Sequence, residues 1–289
     1  MAETGFLFCC DPLRPRRTDP AFAREAAAVR RAGARISLID HDALLAGDVG
    51  RAVDGVPRDS GSYRYRGWMV PSGRYAELER ALADRGCSLR TGGADYRAAH
   101  EFPGWYEVFE ELTPLSVWRP LSPGEALPEA DVWAGLARGL GSGPGIVKDF
   151  VKSRKHEWDE ACFVPELADL DKLASVIRRF VELQGDSLAG GVVLRAFEPF
   201  APGGEARVWW VDGEPVRVTA HPDTPGRLSA PRLDAVGEAV RTLGCGWVTT
   251  DLALREDGVW RVVEVGDGQV SGLPAGDDGG SLFGLLLGS

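Results

Sequence analysis

Trp247-Val-Thr-Thr-Asp-Leu-Ala-Leu-Arg-Glu-Asp-Gly-Val-Trp-Arg-Val-Val-Glu-Val-Gly-Asp-Gly-Gln269 holds two runs rich in β-branched and aromatic residues on either side of Asp257-Gly258. Asp-Gly between such runs signals a hairpin, because a type I′ turn needs positive φ at both central residues. With Asp257 and Gly258 as a two-residue loop, Glu256 faces Val259, and counting back along both strands pairs Asp251 with Glu264. Directly opposed residues hold their Cβ atoms about 4.5–5.5 Å apart on one sheet face, and like charges there destabilise the pair. A bound divalent cation removes the conflict. Mg²⁺ takes oxygen ligands and commonly uses one or two carboxylates together with substrate phosphates. The alternative is a solvated pair of acids that tolerates the repulsion.

Arginine usage supplies the second clue. Lys and Arg together number 33, yet the lysines are only Lys148, Lys152, Lys155 and Lys172. A composition that uses Arg almost everywhere nevertheless places three lysines in Lys148-Asp-Phe-Val-Lys-Ser-Arg-Lys155. An ammonium on a flexible stem is a point charge, unlike the planar Arg fork, and it suits polyphosphate. Alone, such a cluster is equally well a solvated loop. Beside an acidic, cation-binding hairpin it points to a nucleotide site.

The order of segments is the lysine strand, Val192-Val-Leu-Arg-Ala-Phe-Glu198, Glu205-Ala-Arg-Val-Trp-Trp-Val-Asp-Gly213, and then the hairpin. This order resembles the ATP-grasp superfamily and, within it, the clade named for one arginine and two lysines. The resemblance is close over about residues 140–275 and looser toward the N terminus. It implies an α/β protein of α+β lobes, an ATP-grasp fold preceded by an N-terminal α/β pre-ATP-grasp domain. The expected spans are 1–95 for that leading substrate domain, 96–200 for the central lobe and 201–289 for the C-terminal lobe with the metal hairpin. In the family ATP lies between two lobes with Mg²⁺, and a carboxylate is activated as an acyl phosphate that an amine then attacks. The implied activity is an ATP-dependent carboxylate–amine ligase, acting on small-molecule or peptide substrates. A phosphotransferase and a nucleotide-binding protein without turnover are the other readings.

The resemblance also implies roles. Lys148 and Lys155 contact phosphate, with Lys152, Arg195 and Arg207 as catalytic residues. Arg195, Ala196, Phe197 and Glu198 form the hinge whose backbone reads adenine, and Arg195 fits the arginine of the clade's name. Glu205 takes the ribose hydroxyls, and Asp251, Glu264 and Asp267 hold the metal. The chain departs from the family's Glu-x-Asn metal pattern, because Gly266 stands where the asparagine is expected. Asp267, Gln269 or water then supplies the missing oxygen.

Composition bounds the rest. Hydrophobic residues make up 44% and charged residues 26% of 289, the profile of a globular chain long enough for two or three lobes. A net charge of −10 argues against nucleic acid and anionic membrane as partners, since both call for basic surfaces. No run approaches the roughly 20 apolar residues of a membrane span, and Met1-Ala-Glu-Thr lacks the basic start of a signal peptide. Five scattered cysteines without metal-ligand spacing suit free thiols in a reducing compartment, here taken as the cytoplasm. His41, His100, His156 and His221 form no metal or triad spacing. The tail Asp277–Leu287 reads as a packed terminal helix or as an interface patch, the latter compatible with an oligomer.

Along the chain, Gly5–Cys10 reads as a buried strand. Asp19 caps a helix that opens at Pro20 and stops at Gly33, and Arg35–Asp40 forms a second strand, so the start suggests a parallel sheet. It lacks the G-x-G-x-x-G of a dinucleotide turn. Residues 62–70 form a strand on which Arg64, Arg66 and Trp68 face a substrate pocket or solvent. Ser72 caps a helix over 74–85. The aromatics of 96–125 serve packing. Ile146–Val151 is a strand with Lys148 and Asp149 on opposite faces. Asp169–Leu183 is an amphipathic helix, and Asp212-Gly213 turns a second hairpin that puts Glu205 and Arg207 on one face.

Overall fold

The computed structural model describes residues 4–222 and 230–288. The opening Met1-Ala-Glu, read above as lacking a signal sequence, lies outside them. The chain divides into two compact units: residues 1–100, 203–252 and 264–289 in one, and residues 101–202 and 253–263 in the other. The leading segment and most of the C-terminal segment thus fall in one unit.

The reason lies in what the first strand buries. Gly5–Asp11 is central to a sheet with Ile36–Ile39, Gly61–Arg66 and Cys87–Leu89, all parallel as expected, plus the antiparallel edge strand Arg14–Thr18. Alternate residues of this strand serve different cores. Leu7 and Cys9 pack with Tyr63, Tyr65 and Tyr75, whereas Phe6 and Phe8 pack with Trp209, Trp247, Phe283 and Leu286. The second group comes from the C-terminal third, including the helix Gly280–Gly288. One hydrophobic core therefore fuses the leading and C-terminal spans.

A second sheet runs in the order Glu214–Ala220, Ala206–Val211, Trp247–Leu254, Trp260–Asp267, and all of it belongs to this unit except residues 253–263 of the last hairpin, which are counted with the other unit. Its two Asp-Gly turns differ. Asp212 and Gly213 both have positive φ, +49° and +81°, with Val211 opposite Glu214, so this is the two-residue type I′ loop. At the other turn Gly258 alone is left-handed, at +87°, and the Arg255 amide donates to the Val259 carbonyl at 2.8 Å. That loop therefore has three residues, a turn closed by a glycine bulge, and the expected register is one residue out at the tip. At the open end it is met: the Gly268 amide donates to the Trp247 carbonyl at 3.0 Å. Four residues along each strand from that pair stand Asp251 and Glu264.

The second unit is built on a four-stranded antiparallel sheet in the order Ser116–Pro120, Gly191–Ala196, Gly145–Asp149, Phe163–Val164. The helices Ala130–Ala137 and Leu170–Gln184 bury Trp133, Leu173, Ile177 and Phe180 against Val147, Val192 and Leu194 on one face of it. Asp169 caps the longer helix through the Lys172 amide at 3.0 Å, where the amphipathic pattern begins.

Ser72 does not cap its helix. It is the first residue of Ser72–Ala83, and its buried hydroxyl finds no hydrogen-bond partner among the described residues. Asp19 does cap, accepting from the Ala21 amide at 2.8 Å. No helix among the described residues is long and apolar enough to cross a membrane.

Candidate functional site

The second sheet of the first unit gathers the acidic residues. Ala206–Val211 pairs antiparallel with Trp247–Leu254 so that Arg207 stands directly opposite Asp251. On its other edge Arg207 is opposite Thr219. Opposed residues share a sheet face, so Thr219, Arg207 and Asp251 form one row. Glu205, two residues before Arg207, shares the face, and the His221 amide donates to the Glu205 carbonyl at 2.8 Å.

Arg207 donates from Nε to Asp251 Oδ1 at 2.8 Å and from Nη2 to Oδ2 at 2.7 Å, a bidentate pair. His221 Nε2 lies 3.4 Å from Asp251 Oδ2. Glu205, His221 and Asp251 each offer one ligand atom, all within 4.8 Å of one another. Burial works to lower the Arg207 pKa, but the hydrogen bonds and charge of Asp251, with Glu264 and Glu205, hold it above its ordinary value. Burial pushes the Asp251 carboxyl upward, partly offset by Arg207, and Glu264 adds to the rise. The two-point geometry is that of an ion pair, so Asp251 is ionised beside Arg207. The repulsion foreseen between Asp251 and Glu264 is thus partly answered by a residue of the chain itself.

Two expected positions stand apart from this row. Asp267 is three residues from Glu264, an odd spacing that sends its side chain to the opposite sheet face. It is fully buried, with Oδ1 accepting from the Gln269 amide at 2.8 Å and Oδ2 without a partner among the described residues. Burial pushes its pKa up to about 7. Gln269 is spent too: its Oε1 accepts from the Tyr65 amide at 3.0 Å and its Nε2 donates to the Tyr75 hydroxyl at 3.0 Å. Neither side chain lines up with Glu264 to replace the one that Gly266 lacks.

Arg64 and Arg66 do not face a pocket. Both are buried, and Arg66 pairs with Glu25 while donating to the carbonyls of Gly268, Gln269 and Ser271. Arg64 donates to the Leu286 carbonyl at 3.1 Å. Their charged ends tie the leading strand to the C-terminal segment. Trp68 is exposed, and with Cys10, Asp19, Asp40 and His41 it lines a cavity of about 160 Å³.

In the second unit Lys148 is buried on the sheet face opposite the helices. Arg195, paired with Ile146 two residues before Lys148, shares that face. Arg195 is committed within the unit. It donates to Ser116 Oγ at 3.2 Å and to the Val263 carbonyl at 2.7 Å, and it lies over the Phe102 ring. Asp149, on the other face as expected, accepts from the amides of Val151 and Lys152 and shapes the loop that carries Lys152 and exposed Lys155.

At the expected hinge, the Ala196 and Phe197 amides already donate to the carbonyls of Leu115 and Pro144 at 2.8 and 3.0 Å. These two backbone donors are therefore already engaged within the second unit. The Glu198 carboxylate sits 3.0 Å from Arg261 and 3.6 Å from Arg255.

Comparison with known proteins gives a family and a fold. Among solved structures, the chain is similar to a RimK domain protein ATP-grasp from Sphaerobacter thermophilus, 15% identical over 98% of each chain, TM-score 0.63. It is similar to the D-cycloserine synthetase DcsG, 15% identical over 98% of each chain, TM-score 0.60. It is also similar to a D-alanine–D-alanine ligase from Bacillus anthracis complexed with ATP, 15% identical over 100% of this chain and 95% of that one, TM-score 0.57. No curated protein matches. Residues 137–286, just over half of the chain, match the ATP-grasp domain family that is family 3 of the clade named for one arginine and two lysines, and the chain belongs to that family.

Proposed function

We propose that this protein is an ATP-dependent ligase that joins a carboxylate to an amine through an acyl phosphate. The observation that carries this reading is the row of buried Asp251 and His221 with half-buried Arg207, Glu205 and Glu264, in a chain of ATP-grasp family. Three carboxylates against one guanidinium leave a net negative site, and the buried Thr219 hydroxyl in the same row lacks a partner among the described residues. These donors suit a divalent cation such as Mg²⁺, which Asp251 and Glu264 would hold. When bound, the cation offsets the charge that develops on a transferring phosphoryl group.

Lys148, Lys152 and Lys155 are proposed for the phosphates, and the segment from Arg195 to Glu198 for adenine. Of the two arginines expected to be catalytic, the pairing of Arg207 with Asp251 supports a role for it at the cation, while Arg195 hydrogen-bonds Ser116 and the Val263 carbonyl through Nε and Nη1. The position of Glu205 beside Asp251 favours a role at the cation over one at the ribose. Support from relatives is by name: the similar structures include a D-alanine–D-alanine ligase, a D-cycloserine synthetase and an ATP-grasp ligase complexed with precursor, Mg and ADP.

An ADP-release screen across carboxylate and amine pairs tests the proposal, with hydroxylamine as a trap. Substrate-dependent ADP release with hydroxamate formation is expected. ADP release with stable phosphate on the substrate and no hydroxamate identifies a phosphotransferase instead. ATP binding without release across the screen identifies a protein without turnover.

A further inference from the structure

Gly266 lies on the same strand face as Glu264 and brings no side chain to the site. There is little room for one, since a Cβ there would lie 3.1 Å from Thr249 Oγ1 and 3.3 Å from Ser271 Oγ. Those two hydroxyls hydrogen-bond to each other at 2.7 Å. With Asp267 on the opposite face and Gln269 held by Tyr65 and Tyr75, the carboxylate row gains no further ligand from its own strand.

The other end of the site is different. The pairing of Arg207 with Thr219 and of Ala206 with Ala220 continues one step further to Glu205 and His221, through the His221 amide. That step carries the imidazole onto the face of Asp251. It is nine-tenths buried there, with Nε2 3.4 Å from Oδ2. A buried imidazole between two carboxylates is a metal-ligating set that includes nitrogen, whereas Asp251 and Glu264 alone offer only oxygen.

We infer that His221 completes the cation site at Asp251, with Glu205, and makes it a mixed nitrogen–oxygen site that binds Mn²⁺ more tightly than Mg²⁺. The inference rests on the cation role of Asp251 proposed above. Charge supports it: Glu205, Asp251 and Glu264 against Arg207 leave two net negative charges, which a divalent cation cancels. A neutral imidazole adds a ligand without adding charge. Arg207 takes one lone pair on each Asp251 oxygen, and a carboxylate oxygen has two. Oxygen-only sites suit Mg²⁺, while imidazole favours transition metals, among which Mn²⁺ also accepts carboxylates.

The test is electron spin-echo spectroscopy on the full chain loaded with Mn²⁺ alone, beside Mn²⁺ and Mg²⁺ titrations. Expected is a ¹⁴N modulation on bound Mn²⁺ that disappears when histidine is labelled with ¹⁵N, and that is absent from His221→Ala and His221→Gln. Mn²⁺ affinity should fall by about 10–100-fold in both variants, the range seen when even outer-shell partners are removed. Thermal midpoints confirm that the variants fold, and His221→Gln serves if His221→Ala does not. Bound Mn²⁺ without a histidine nitrogen signal overturns the inference, as does a signal that survives both substitutions. Mn²⁺ binding that requires Asp251 but shows no histidine nitrogen defeats only this inference. Mn²⁺ binding that is indifferent to Asp251→Asn defeats the cation reading on which it rests.

Discussion

Arg207 stands directly opposite Asp251 across two antiparallel strands and holds both carboxylate oxygens, at 2.8 and 2.7 Å. The strands are not consecutive, so a residue at the start of one hairpin neutralises a residue of the next. Asp251 is 3% and Arg207 11% exposed at the side chain, which places the pair out of bulk solvent. Removing one partner of a buried pair costs about 3–5 kcal/mol, because the other charge is left uncompensated.

Arg207→Met should therefore lower the thermal midpoint by several degrees or more, and divalent cation should restore more stability to the variant than to the wild type. Scanning calorimetry with and without Mg²⁺ measures both. Equal cation effects in the two proteins would show that Asp251 and its neighbours do not bind the ion.

Asp267 should make stability fall with rising pH. Its folded pKa of about 7 lies above its ordinary 3.8, because burial disfavours the charged form. Between these values the folded protein keeps a proton that the unfolded chain has released, so stability declines from pH ~4 to ~7 and levels off above. Over that window the loss is on the order of a few kcal/mol. Asp267→Asn should flatten the decline when urea midpoints are followed from pH 4.5 to 8. An unchanged slope in the variant would assign the decline to other groups.

Lys148→Met should weaken MgATP binding about tenfold or more, since a charge-assisted hydrogen bond contributes roughly 1.5–3 kcal/mol. Because Lys148 is buried, the methionine keeps the packing. Isothermal titration that shows wild-type affinity would remove Lys148 from the nucleotide site.

Local signals in the sequence were legible where short-range chemistry decides. Asp212-Gly213 adopts the type I′ geometry its residues favour, Asp169 caps the helix that begins after it, and the leading strands pair in parallel. Asp257-Gly258 has the same dipeptide but folds as a three-residue loop, with a second amide, that of Gly258, bonding back to the Arg255 carbonyl at 2.9 Å. The Arg207–Asp251 pair was not legible, because strand neighbours from different hairpins leave no spacing signal. His221 was missed for the same reason, as a lone histidine at the end of an edge strand. Asp267 could have been set apart from Glu264 by strand parity alone. Arg64 and Arg66 look like exposed residues of an alternating strand, and only the tertiary partners Glu25 and the C-terminal carbonyls explain their burial.

The most direct test of the cation role of Asp251 and Glu264 is the thermal shift given by MgATP in the wild type, Asp251→Asn and Glu264→Gln. At about 100 times its dissociation constant a ligand stabilises the folded state by about 2.7 kcal/mol. The wild-type midpoint should rise accordingly, while both variants, folded in the absence of ligand, should show little or no rise. A full wild-type shift in both variants would contradict the account.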